Sequence, residues 1–134
     1  MKRVAKTQKI NNISTLYFFT IANMAKVQLT SGELAAINIA VQSTPDKHPR
    51  QYAIADLQKA LNLQNFLVEA TEERHDPEGN TLVDGNKMPL KFFKNEAEID
   101  LTIEDKLFVK RLIEEQKWSL DLANEVQTLL EKLK

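Results

Sequence analysis

Lys26-Val27-Gln28-Leu29-Thr30-Ser31-Gly32-Glu33-Leu34 changes its hydrophobic period half-way along. From Lys26 to Thr30 polar and apolar residues alternate, as in a short strand or extended lead-in with one buried face. Beyond Thr30 the apolar residues fall at Leu34, Ile37 and Val41, three and four apart, which is one face of a helix, with Asn38 on the same side. Thr30 or Ser31 stands where an N-cap is needed, and Glu33 places an acid at the positive end of the helix. A strand that hands over directly to a capped helix predicts a mostly α domain of the α+β class.

Working outward, Pro45 disfavours helical geometry just before it, so the first helix stops near Ser43 and residues 43–50 form a loop. A second helix is expected from about Pro49, which suits a first helical position. Its apolar face runs Ile54, Leu57 and Leu61, then drifts through Phe66, Leu67 and Ala70, with Asp56, Lys59, Asn62, Glu69 and Glu73 outward. With roughly 25 residues it would be about 37 Å long. Thr102 and Asp105 make a capping pair for a third helix carrying Ile103, Leu107, Phe108, Leu112 and Ile113. Trp118-Ser119 breaks that helix or shifts its face. Leu122, Val126, Leu129, Leu130 and Leu133 then mark a terminal helix. Such a stripe is core, or alternatively a seam between copies of the chain. Three or four helices are thus expected, with a small β-hairpin or ribbon inserted around residues 76–101.

His75-Asp76-Pro77-Glu78-Gly79-Asn80-Thr81-Leu82-Val83-Asp84-Gly85-Asn86-Lys87 gathers oxygen ligands in the manner of a calcium loop. The EF-hand pattern needs Gly at its sixth position. Counting from Asp76 that position is Thr81, and counting from Asp84 it is Pro89, so neither register fits. Asp76-Pro77-Glu78-Gly79 instead has the residue preferences of a type I turn, and Asp84-Gly85 those of a hairpin. These acids are expected to turn the chain, and no metal or other cofactor is expected.

Composition narrows the function classes. The 134 residues carry a formal net charge of −1, no Cys, three Gly and four Pro. Without Cys there is no disulfide, thiolate site or cysteine nucleophile. Three Gly cannot make a phosphate-binding loop, and neither HExxH nor GxSxG occurs. His48 and His75 are isolated loop residues, and Glu72-Glu73 and Glu114-Glu115 are neighbours that point apart on a helix. The charge is uneven: Lys2, Arg3, Lys6, Lys9 and Lys26 precede the first acid, Glu33, after which 13 bases face 19 acids. An acidic body weighs against broad phosphate-backbone binding. Residues 1–25 are expected to be a basic extension, or Met24 the true start, with one helical domain over 26–134. The run Ile13–Ala22 resembles a signal peptide, but Ser14, Thr15 and Thr20 interrupt it and no small-x-small site follows. It is too short to span a bilayer, which takes about 20 apolar residues, so a cytoplasmic protein without a membrane partner is expected.

Two candidate interaction surfaces remain. Lys91-Phe92-Phe93-Lys94 is the one basic and aromatic cluster, and strand alternation sends its two rings to opposite faces. The second is the stripe Leu122, Val126, Leu129 and Leu133, through which the chain could form a homo-oligomer. The expected function is a non-catalytic protein-interaction protein whose partner is another protein. A nucleic-acid-binding accessory protein using the basic arm and Lys91–Lys94 is the alternative, and a small hydrolytic or metal-dependent enzyme comes third.

The opening Lys26–Leu34 is similar to the KVxLTNGEL-type start of small uncharacterised protein families from phages and prophages of Gram-positive bacteria. In those families a first helix is followed by a basic loop, a long charged helix, a D-x-x-G-N turn and further helix. Arg50, the helix through Glu73, and Asp76-Pro77-Glu78-Gly79-Asn80 occupy those places here, so the resemblance spans about residues 26–115. It implies a phage-encoded assembly, accessory or host-inhibitory factor, in the host cytoplasm or the virion. The extension before Met24 departs from the pattern. No activity comes with these families, so the resemblance assigns no functional residue.

Overall fold

The computed structural model describes residues 24–134; the basic extension expected over residues 1–25 lies, up to Asn23, outside the described residues. Strand β1 (Ala25–Thr30) buries Val27 and Leu29 and turns Lys26 and Gln28 outward, then passes into α1 (Ser31–Gln42). The hand-over is a complete capping box. The Thr30 hydroxyl accepts the Glu33 N–H, and the Glu33 carboxylate accepts the Thr30 N–H at 2.9 Å.

The same device recurs later in the chain. Strand β4 (Glu96–Leu101) passes into α3 (Ile103–Glu115) through a capping box of Thr102 and Asp105. Ala25-x-Val27-x-Leu29-Thr30-x-x-Glu33 and Ala97-x-Ile99-x-Leu101-Thr102-x-x-Asp105 are one pattern, 72 positions apart (Ala25 to Ala97). β1 and β4 pair antiparallel with Val27 opposite Ile99, so a local two-fold axis passes through that pair. Burial follows the repeat: Ala36 and Phe108, Ile37 and Val109, Ala40 and Leu112, Val41 and Ile113 are all buried equivalents. Over the described residues the protein is an α+β fold of four helices around a two-stranded antiparallel sheet, with a small ribbon attached.

Helix α2 (Ile54–Glu69) is shorter than its sequence suggests. Pro49 bridges back to Ser43, and the Arg50 N–H donates to the Gln42 carbonyl. The Arg50 guanidinium donates to the carbonyls of Ala40 (2.8 Å) and Ser43 (3.3 Å), and the Tyr52 hydroxyl to that of Val41 (2.6 Å). These bonds close the C-terminal end of α1, whose last carbonyls lack partners within the helix, and they keep residues 50–53 out of α2. At its other end α2 gives way to β2 (Thr71–Glu72), which pairs with β3 (Phe92–Phe93). The buried face also differs from expectation. Ala60, Leu63 and Leu67 point inward while Ile54, Leu57 and Leu61 face solvent.

Between β2 and β3 the chain makes two tight turns. The Asp76 carboxylate accepts the Asn80 N–H (2.8 Å), and the Asp84 carboxylate accepts those of Asn86 (2.8 Å) and Met88 (3.0 Å). Gly79 takes the left-handed conformation that the first turn requires, with φ of 90°. The ribbon therefore spans residues 71–93. Its expected extension to 101 is corrected, because residues 96–101 pair with β1 instead.

A 3₁₀ turn (Leu120–Leu122) leads into α4 (Ala123–Lys132). The break before it is fixed by Trp118, whose indole N–H donates to the Ile113 carbonyl at the end of α3 (2.9 Å). The proposed seam is corrected here: Val126, Leu129 and Leu133 are buried within the chain itself, and Leu122 packs against the same core. Leu129 has no exposed surface. Leu129→Ala should therefore lose about 3–5 kcal/mol of unfolding free energy, cavity included. Urea denaturation of the two proteins would read this difference.

Candidate functional site

Three places concentrate polar or exposed apolar groups. The first is Glu33, whose side chain is fully buried. Besides the Thr30 N–H, its carboxylate accepts the Lys132 ammonium (2.6 Å) and the Thr128 hydroxyl (3.0 Å). Beside it Gly32 lets α4 approach: a Cβ there would come 2.5 Å from Cγ of Glu125. Burial alone pushes the Glu33 carboxyl up. The Lys132 bond, the Thr30 N–H and the Thr128 hydroxyl together outweigh it and hold the group below its ordinary value. With each oxygen engaged inside a packed helix junction, Glu33 ties α1 to α4.

A depressed folded pKa contributes stability that is present above the unfolded value of about 4.3 and is lost as pH falls through the lower folded value. Replacing Glu33 by Gln should cost about 1–3 kcal/mol at pH 7, toward the low end for a buried pair because Lys132 still reaches water. It should also remove part of the stability loss below pH 4. Denaturant midpoints of both proteins from pH 3 to 7 would check the two statements together.

The second place is the Lys91–Lys94 cluster, which packs against the ribbon's own residues. The Arg74 guanidinium lies 5.0 Å from the Phe92 ring centre and donates to the Phe93 carbonyl (3.1 Å). Lys91 pairs with Glu73 at 3.3 Å, and Phe93 packs on the core. Lys94 is exposed, and its N–H donates to the Ala70 carbonyl. The expected split of the two rings is met in part, since both are half-buried.

The third place includes three residues that the sequence pattern puts inside, Ile54, Leu57 and Leu61. Along α2, Ile54 is 90% exposed, Leu57 52%, Leu61 48% and Val68 66%. They lie at positions 54, 57, 61 and 68, a single stripe on the helix. Asp56 and Lys59 lie off this stripe, toward α3, where Asp56 meets Arg111 at 3.1 Å and Lys59 approaches Glu104 at 3.9 Å. The stripe's exposed neighbours are the amides Gln58, Asn62, Gln64 and Asn65, of which Gln58 donates to Asn62, and Glu69 at the C-terminal end. The signal in the sequence was that IADLQKALNLQNFLVE holds two apolar stripes, this one and Ala60-Leu63-Leu67. A helix packed on one side can bury only one of them.

Among the described residues no group of three or more His, Asp or Glu is placed to hold a metal ion, and no helix is long and apolar enough to cross a membrane. A cleft of about 230 Å³ lies between α2, β4 and α3, floored by Leu63, Phe66, Ile99 and Phe108 and edged by Lys59 and Asp100. It is smaller than most small-molecule sites, which begin near 300 Å³. No protein-family model, curated protein or solved structure matches this chain.

Proposed function

We propose that this protein is a non-catalytic interaction module that binds another protein surface through the outward face of α2. The exposed stripe Ile54, Leu57, Leu61 and Val68 carries the reading. Single exposed apolar residues are ordinary on a protein surface, but Ile54, Leu57 and Leu61 on successive turns, continued by Val68 beyond the Gln64–Asn65 amides, make a stripe that marks a contact face. A helix presenting such positions docks its apolar side into a groove or against another helix. The interior charge supports the non-catalytic part of the reading, since Glu33 is committed to holding two helices together.

The order of strand, capped helix, Arg50 loop and Asp76–Asn80 turn supports a phage or prophage origin, which sequencing of the flanking genes would test. The binding role is tested by a photo-crosslinking residue at Gln58, beside the stripe, against a control at Glu78 on the ribbon tip. Adducts are expected at 58 in source cells and not at 78. They should disappear when Leu57 and Leu61 are both replaced by Lys, with thermal stability of the purified protein changed little. Equal labelling at both positions, or none at 58, would end the proposal.

A further inference from the structure

Given the binding role just proposed, the occupant of the α2 face follows from its symmetry and charge. Ile54, Leu61 and Val68 are spaced by seven residues on either side of Leu61. An antiparallel copy of the same helix, related by a two-fold axis through Leu61, would set Ile54 against Val68 of the other copy. Leu57 would then lie between Leu61 and the Gln64–Asn65 amides opposite. We infer that α2 pairs with α2 of a second copy, forming a symmetric dimer with Leu61 on the axis.

Three observations bear on this choice of partner. Side chains beside an isologous axis meet their own kind, so a charged face there repels itself. Near the axis this face carries no charge, because Asp56 and Lys59 are drawn toward α3; its one exposed acid, Glu69, stands at the far end. The ends of the helix are complementary as well. Ala53 occupies the N-cap without any side-chain bond, leaving the positive end of α2 uncapped. Glu69, exposed at the far end, makes no ion pair among the described residues. The axis through Leu61 brings each Glu69 to the other copy's Ala53. Area is the third point. The four side chains expose roughly 450 Å² per copy, about 900 Å² in a pair, so that with the flanking amides the contact reaches the lower bound of about 1,000 Å² for a specific interface.

The absence of Cys makes a direct test possible. Leu61→Cys under mild oxidation with oxidised glutathione should form a disulfide-linked dimer quickly, since the two sulfurs meet at the axis. Ile54→Cys alone should not, because the paired positions would stand roughly 20 Å apart along antiparallel helices. Mixing Ile54→Cys with Val68→Cys protein should restore cross-linking. Light scattering of the unmodified protein should give twice the chain mass, Leu61→Glu the single mass, and Glu69→Lys a dimer weakened several-fold. A single-chain mass at 100 µM or more, or efficient linking by Ile54→Cys alone, would overturn the antiparallel dimer. If Gln58 adducts to a different protein accompany that single mass, the self-pairing fails while the binding role stands. If the Gln58 adducts are also missing, both fail.

Discussion

Pairing of β1 with β4, centred on Val27 and Ile99, is the constraint from which the rest of the architecture follows. Each strand ends at a Thr whose hydroxyl starts the next helix, so fixing the two strands fixes where α1 and α3 begin and which way they run. Because the strands are related by a local two-fold axis, the helices present equivalent faces to the centre, and Ala36 to Val41 and Phe108 to Ile113 fill it. The smaller Ala36 and Ala40 stand where the other unit has Phe108 and Leu112. Such pairing of small with large residues at equivalent positions lets side chains interdigitate at interior density. α2 and α4, the intervening loop and the ribbon are built onto this duplicated unit.

Symmetry is broken at the acid of each capping box. Glu33 is one methylene longer than Asp105, and from it the carboxylate reaches Lys132 and Thr128 on α4 as well as its own cap. A carboxylate so far from water is tolerated only when its lone pairs are occupied, and here they are. Removing the side chain leaves an ammonium and a hydroxyl arranged around a missing acceptor, which makes the junction specific for this register of α4 on α1. Gly32 contributes in the same place, since any side chain there would meet Glu125.

Much of this was legible in the sequence where local rules dominate. The period change at Thr30, the Thr102–Asp105 cap, the two Asp turns and the leucine stripe of α4 each depend on residues within a few positions of one another. Three features escaped for different reasons. The β1–β4 pairing is long-range, yet the nine-residue repeat from Ala25 and Ala97 announced it. The start of α2 was misplaced because Arg50 and Tyr52 bond to the end of α1, a tertiary demand that outweighs the suitability of Pro49 as a first helical residue. The first half of α2 faces the other way from expectation, with Ile54, Leu57 and Leu61 outward, because apolar character alone does not say which of two stripes is buried; Leu67 and Ala70 are inside as expected. Asp56 and Lys59, expected outward, face α3 and settle the rotation. Of the candidate surface residues, the leucines belong to the interior, and the Lys91–Lys94 cluster is largely engaged by Arg74 and Glu73.

The separation of the two strands in the chain has a consequence during synthesis. β1 is complete long before its partner exists: at 5–20 residues per second the ribosome takes roughly 4–14 s to add the 72 residues between equivalent positions. Through that interval the nascent strand carries open backbone edges and an uncovered Val27–Leu29 face, the state in which strands from neighbouring chains associate. Lys26, Gln28 and Thr30 alternate with those apolar residues, and one charge in so short an edge limits such premature pairing. The translation rate between α1 and β4 therefore sets how long that edge stays open.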